Sequence, residues 1–215
     1  MVRVESRGSR VAENPAVTPQ RFDYRSHEHR RWRTFVLVLL AGGLVWALTG
    51  SGHFFKECLA ALKELDEVDL FVSRAAAEVI RMYRQDFKLP KSVRVFRDTT
   101  ASAAPVGAFY YGTYHTLVLA PATSNTVAKC VYGISDTLAT NVFAQAGKCR
   151  VPSIVFACDT APELETEAPK GMVKVYPRAI DLENTARLKT FGDVSVVETL
   201  VELNAAIARR KRELA

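Results

Sequence analysis

Three short polar runs each follow an apolar stretch, and their residue types suit one kind of chemistry. Thr49-Gly50-Ser51-Gly52 follows LVWAL, Ser73 follows VDLFV, and Thr123-Ser124-Asn125-Thr126 follows HTLVLAPA. Glycines allow close backbone approach to a ligand. Hydroxyls and amides donate to phosphate oxygens without adding charge. If the apolar stretches are parallel strands, all three runs lie where open α/β sheets bind ligands, beside helix starts that present N–H groups to an anion. The runs would then ring one phosphorylated, mononucleotide-sized ligand. A plainer alternative stays open for each run: a strand-to-helix turn, with Ser124 or Asn125 as the helix cap. TGSG is shorter than the dinucleotide fingerprint, and GKC at 147–149 lacks the glycine spacing of a P-loop.

The elements that would position these runs can be read from residue 44 onward. LVWAL (44–48) reads as a buried strand, followed by a helical pattern in HFFKECLAALKEL, where Phe54, Phe55, Cys58, Leu59, Leu62 and Leu65 share one face. Next come a strand at 68–73, a helix at 75–85, a strand at 92–98 and a loop at 99–113 rich in Gly, Pro, Ala and Tyr. A strand at 115–120, a helix beginning near Asn125 and a strand at 152–158 follow. The remainder reads as a strand at 171–177, a short helix near 181–190 and a last amphipathic helix at 196–213. Strands alternating with helices imply right-handed crossovers and a mostly parallel, doubly wound α/β sheet covered on both faces.

Composition narrows the partners. Residues 1–34 hold eight Arg against four acids, so +4 of the net +6 sits in the first 34 residues and the rest of the chain is nearly balanced. No nucleic-acid partner is expected, because no aromatic-basic stripe follows. The four cysteines contain no C-x-x-C pair, so reduced thiols in a cytoplasmic protein and no metal site are expected. Residues 1–40 read as a disordered or loosely attached basic extension, and 41–215 as one domain. The apolar run Phe35–Leu48 is 14 residues long and broken by Gly42-Gly43, whereas a membrane-spanning helix needs about 20. No membrane association is expected.

PATSNTVAK together with GISDTLATN resembles the paired motif of the flavoprotein family that includes the peptide-cysteine decarboxylases, phosphopantothenoylcysteine decarboxylase and the flavin prenyltransferases. Within it, WALTGSGHFFKE, LFVSRAAAEVIRMY, LAPATSNTVAKCVYGISDTLATNVFAQAGKCRVPSIVFACDT and APKGMVKVYPRAIDLENTARL are similar to the dihydromethanopterin reductase and archaeoflavoprotein branch. The resemblance implies a flavodoxin-like or Rossmann-like three-layer sandwich, bound FMN, and a homo-oligomer built of trimers. The implied activity is reduction of 7,8-dihydromethanopterin to tetrahydromethanopterin with electrons from NAD(P)H. Other readings of the same fold are an electron-transfer flavoprotein fed by a small redox partner, and a decarboxylase or prenyltransferase.

Two departures weigh against that last pair. FACDTAPELE stands where the decarboxylases carry their P-x-M-N-x-x-M-W clamp, and Cys158 stands about where the prenyltransferase has an arginine. No Cys-rich ferredoxin module is seen, so a soluble electron donor is expected.

By match to the family motif, Thr49, Gly50, Ser51 and Gly52 would hold the ribityl phosphate end, Ser73 the flavin or its phosphate, and Thr123, Ser124, Asn125 and Thr126 the ring side. Cys158 would be a buried or flavin-adjacent thiol. Reducing a dihydropterin imine requires a proton at nitrogen. His53 and Asp159 are the candidate donors by position; the first is equally a first-turn helix residue, the second equally a cap or turn former. Asp136 reads as a structural pin for a neighbouring loop.

Overall fold

The computed structural model describes residues 43–83, 88–99, 104–168 and 170–215. The expected extension at 1–40 lies outside the described residues. Six parallel strands form one sheet: β1 (Gly43–Leu48), β2 (Val68–Val72), β3 (Arg94–Arg97), β4 (Tyr114–Ala122), β5 (Ser153–Ala157) and β8 (Val194–Val197). They lie in the order β3-β2-β1-β4-β5-β8. Counting sheet strands alone, this is the 3-2-1-4-5-6 order of a doubly wound Rossmann-like sheet. The chain runs outward from β1 through β2 to β3, then crosses to the other side of β1 to begin β4. The crevice between the carboxyl ends of β1 and β4 is therefore the topological switch point.

Strand pleating divides the core in two. Trp46 and Leu48 face one side of β1 and pack with Phe55, Cys58, Leu59 and Leu62 of α1 (Phe55–Lys63), Ala76 and Val79 of α2 (Arg74–Met82), and Leu203 and Ile207 of α6 (Leu200–Leu214). Val45 and Ala47 face the other side. They join Val127 and Val131 of α3 (Ser124–Tyr132), Leu138, Val142 and Phe143 of α4 (Leu138–Lys148), Leu188 of α5 (Ala179–Leu188), and Phe109. Two helical layers thus enclose the sheet, the three-layer sandwich expected from the sequence. Among the described residues no helix is long and apolar enough to cross a membrane.

Four elements depart from the expected plan. The single helix expected from Asn125 is two. Gly133, at φ 71°, ends α3 in the left-handed region that favours glycine. Thr137 then opens α4 with a reciprocal cap to Thr140. The strand at 171–177 does not join the sheet: β7 (Gly171–Val175) pairs antiparallel with β6 (Leu164–Ala168) as a separate hairpin. The last helix starts at Leu200, because Thr199 caps it and the preceding VSVV, rich in β-branched residues, extends the sheet as β8. Within the expected loop at 99–113, residues 104–111 form a 3-10 helix whose Val106 and Phe109 are buried.

Two contacts fix the first strand. Trp46, wholly buried, donates its indole N–H to the Ala120 carbonyl at 2.6 Å. Gly50 lies so near α2 that a β-carbon there would stand 2.5 Å from the β-carbon of Ala75. Trp46→Phe leaves the Ala120 carbonyl without its partner; the expected loss is about 1–3 kcal/mol in urea unfolding. Gly50→Ala forces the β1 turn away from α2, an overpacking expected to cost about 1–3 kcal/mol in the same measurement.

Candidate functional site

A cleft of about 540 Å³ opens outside the carboxyl ends of the strands, at the switch point. That volume lies within the roughly 300–1,000 Å³ usual for small-molecule sites. Its walls come from the ends of β1 (Thr49, Gly50), β3 (Asp98) and β4 (Thr123), and from the first turns of three helices.

Those helix starts are capped in the same way. Ser73 accepts from the Ala76 N–H at 3.0 Å, Thr123 from Thr126 at 3.2 Å and Thr137 from Thr140 at 3.3 Å. The cap of α3 is thus Thr123, where Ser124 or Asn125 was expected. Thr123 keeps extended backbone at φ −65°, ψ 154°, so its hydroxyl reaches forward, whereas Ser124 is already helical. A helix start has four N–H groups without intrahelical partners, and each cap accounts for one. Asp159 takes the Ser124 N–H at 3.3 Å, and Asp98 takes that of Leu138 at 3.2 Å. The remaining amides and the positive ends of three helix dipoles face one volume, an arrangement suited to an anion.

The cleft gathers Thr49, Gly50, Ser73, Thr123, Asn125 and Thr126 from the residues singled out in the sequence. Thr49 is buried and its hydroxyl bonds in both senses: it donates to the Pro121 carbonyl at 2.6 Å and accepts the Thr123 N–H at 3.1 Å. It therefore clasps β1 to β4 and leaves its backbone, with that of Gly50, to the cleft.

Ser51, Gly52, His53, Ser124, Cys158 and Asp159, also singled out in the sequence, do not line the cleft. Ser51 donates to the His53 carbonyl at 3.2 Å, and the buried Cys158 thiol contacts the same oxygen at 3.9 Å. Burial pushes the Cys158 thiol up to about 12, so it stays protonated. A β-carbon on Gly52 would run into the Tyr83 hydroxyl, which donates to the Glu167 carbonyl of the hairpin at 2.9 Å. The His53 ring lies 3.8 Å from that of Phe54, which in turn stacks on Phe156 at 4.8 Å. Phe54 holds a left-handed φ of 59°, strained for a residue with a side chain. Burial lowers the His53 pKa below its ordinary 6.5, and the charges of Asp159 and Glu57 oppose that shift.

Five polar lining residues were not singled out from the sequence: Arg74, Glu78, Asp98, Lys129 and Thr137. Helical spacing carries part of this information, because Lys129 falls one turn after Asn125 and Glu78 one turn after Arg74. Lys129 meets both carboxylate oxygens of Asp136, at 2.9 and 2.8 Å, and holds that carboxyl below its usual range. Asp136 thereby pins the loop between α3 and α4, the structural part expected for it.

Comparison with known proteins agrees with this architecture. Burkholderia xenovorans DmrB, solved in complex with FMN as a cubic protein cage for redox transfer, is 50% identical and superposes with a TM-score of 0.73 over 81% of this chain and 97% of its own. A dihydromethanopterin reductase (acceptor) of Methanosarcina mazei is 40% identical over 140 residues, 59% of each chain. The match thus spans little more than half the length of that reductase. An uncharacterised protein of Methanocaldococcus jannaschii is 33% identical over 175 residues, 77% of this chain and 94% of its own. The Flavoprotein family model matches residues 41–211, which include all the described strands and lining residues of the cleft, and the chain belongs to that family.

Proposed function

We propose that this chain is an FMN-dependent reductase that converts 7,8-dihydromethanopterin to tetrahydromethanopterin. The convergence of three capped helix starts on one cleft carries the reading. The donor set fits FMN: unpaired backbone N–H groups and dipole ends suit a phosphate, and the close Gly50–Ala75 approach leaves a cradle that a side chain at position 50 would fill. The 50%-identical DmrB supports the assignment through its FMN complex, and the reductase of Methanosarcina mazei supports the substrate class. NAD(P)H as the electron source, a cytoplasmic location and a homo-oligomer built of trimers complete the proposal. The cage formed by DmrB favours a homo-oligomer.

Bound FMN would supply the two-electron chemistry. The chain's own work is to hold, orient and deliver a proton. Gly50 and the first turns of α2 and α3 hold the phosphate-bearing part, with Ser73 and Thr123 fixing those turns. Asn125 and Thr126 face the rest of the cleft. His53 delivers the proton required at the substrate nitrogen from a ring nitrogen, and Asp159 favours the charged imidazolium from nearby.

Under anaerobic conditions, the purified protein should show a flavin absorption band that bleaches with NADH or NADPH and returns when dihydromethanopterin is added. A band indifferent to both nicotinamides but bleached by a reduced small redox protein would transfer the donor role to that partner. Return of the band would then test the pterin step alone.

The imidazolium is populated only below the His53 pKa, which burial places under 6.5. Turnover should therefore fall as pH rises through that value. His53→Gln should remove this limb and lower turnover by roughly 10²–10⁴-fold. Asp159→Asn removes a charge that raises the pKa, so it should move the limb to lower pH. A wild-type profile that is flat from pH 5 to 8 would remove His53 from the role.

A further inference from the structure

We infer that Arg74 reads the phosphate of the bound flavin and sets the preference for the phosphorylated cofactor over riboflavin. The inference rests on the FMN reading above and assigns one end of the cleft to the phosphate. Among the described residues two cations line the cleft, Arg74 and Lys129. Lys129 is held by both oxygens of Asp136. Arg74 is exposed and makes no ion pair or side-chain hydrogen bond among the described residues. Three carboxylates share the walls, Glu78, Asp98 and Asp136. Asp136 and Lys129 offset each other, Asp98 disfavours an anion at the α4 start whose amide it takes, and Glu78 lies one turn along α2 from Arg74 without pairing with it. Arg74 is therefore the lining cation left without a carboxylate partner among the described residues.

The backbone beneath Arg74 points to the same end. At α4, Asp98 occupies the Leu138 N–H, and at α3, Asp159 occupies the Ser124 N–H. At α2, Ser73 accepts only from Ala76, and the Arg74 and Ala75 amides have no acceptor among the described residues. Two successive free amides at a helix start, beneath an unpaired guanidinium, make a donor set for a phosphate monoester. Arg74 is also badly placed for the helix itself, since a cation in the first turn opposes the dipole. A ligand anion at that end relieves the opposition, because it adds a negative charge between the guanidinium and the positive helix end.

The test is titration of the flavin-free full-length protein with FMN and with riboflavin, followed by quenching of flavin fluorescence, for wild type, Arg74→Ala and Arg74→Lys. Wild type should prefer FMN. Arg74→Ala should weaken FMN by about 10–100-fold, in line with loss of a charge-assisted contact, and leave riboflavin within about twofold. Arg74→Lys should recover part of the loss, because the charge returns without the planar fork. The ligand-free Arg74→Ala protein should melt no lower than wild type, since the side chain is exposed and opposed to the dipole. Equal weakening of both flavins, or no change in either, would overturn the inference while leaving the FMN site standing. Wild type binding neither flavin would overturn the cofactor reading itself, and the inference with it.

Discussion

One buried hydroxyl holds the ligand-binding end of this fold together. The Thr49 side chain joins the carboxyl ends of β1 and β4 by donating to Pro121 and accepting from Thr123. These strands lie at the reversal in sheet order, where the helices that follow them are sent to opposite faces and the strand ends would otherwise splay. The hydroxyl both donates and accepts away from water, so removing it would orphan a buried carbonyl and weaken the seat of an amide at once. Thr123 is in turn the cap of α3, and the clasp therefore fixes the direction of that helix start. The Ser73 N–H makes the corresponding link on the other side, to the Leu48 carbonyl. The walls of the cleft are thus set by bonds between strand ends, before any ligand contributes.

The same economy governs charge. The cleft carries Arg74 and Lys129 against Glu78, Asp98 and Asp136, so it is not a basic pocket in the ordinary sense. Much of its affinity for an anion comes from oriented backbone, with three helix ends supplying partial charge beside the single unpaired guanidinium of Arg74. That choice suits a cofactor whose neutral and hydroxyl-bearing parts occupy most of the volume and whose charge is confined to one end. Carboxylates beside helix starts, as at Asp98 with Leu138 and Asp159 with Ser124, then tune which starts remain open.

Where neighbouring residues send their side chains was only partly legible from the sequence. The strand ends were readable because apolar runs of four to eight residues followed by Gly, Ser or Thr have few other meanings in an alternating α/β chain. The break between α3 and α4 was also encoded, in Gly133 and the Thr137-x-x-Thr140 cap. It was masked by an apolar pattern that continues on either side. The hairpin of β6 and β7 was less accessible, because LETEA and GMVKV do not declare which sheet they join, and only the pairing of Leu164 with Val175 resolves it. Arg74 and Lys129 were passed over because a lone cation on a helix is usually solvated. Their meaning depends on what the other helix starts have already satisfied, and that is a property of the fold.

The division between Gly50 and His53 follows from backbone geometry. Only two residues separate them, yet Gly50 lines the cleft against Ala75 while His53 lies against Phe54. The left-handed turn at Phe54 redirects the chain into α1 and places that ring between His53 and Phe156. Strain at a residue with a β-carbon persists only where surrounding packing enforces it, and here the stacking on Phe156 supplies that packing. The first crossover thus does two jobs in a few residues. Its glycine half brings the backbone against α2 at the edge of the cleft, and its aromatic half keeps an imidazole half-buried, with its proton affinity lowered by burial and partly restored by the charge of Asp159. Because both halves hang from the end of β1, which Thr49 clasps to β4, the cleft edge at Gly50 and the proposed proton donor His53 share one rigid support.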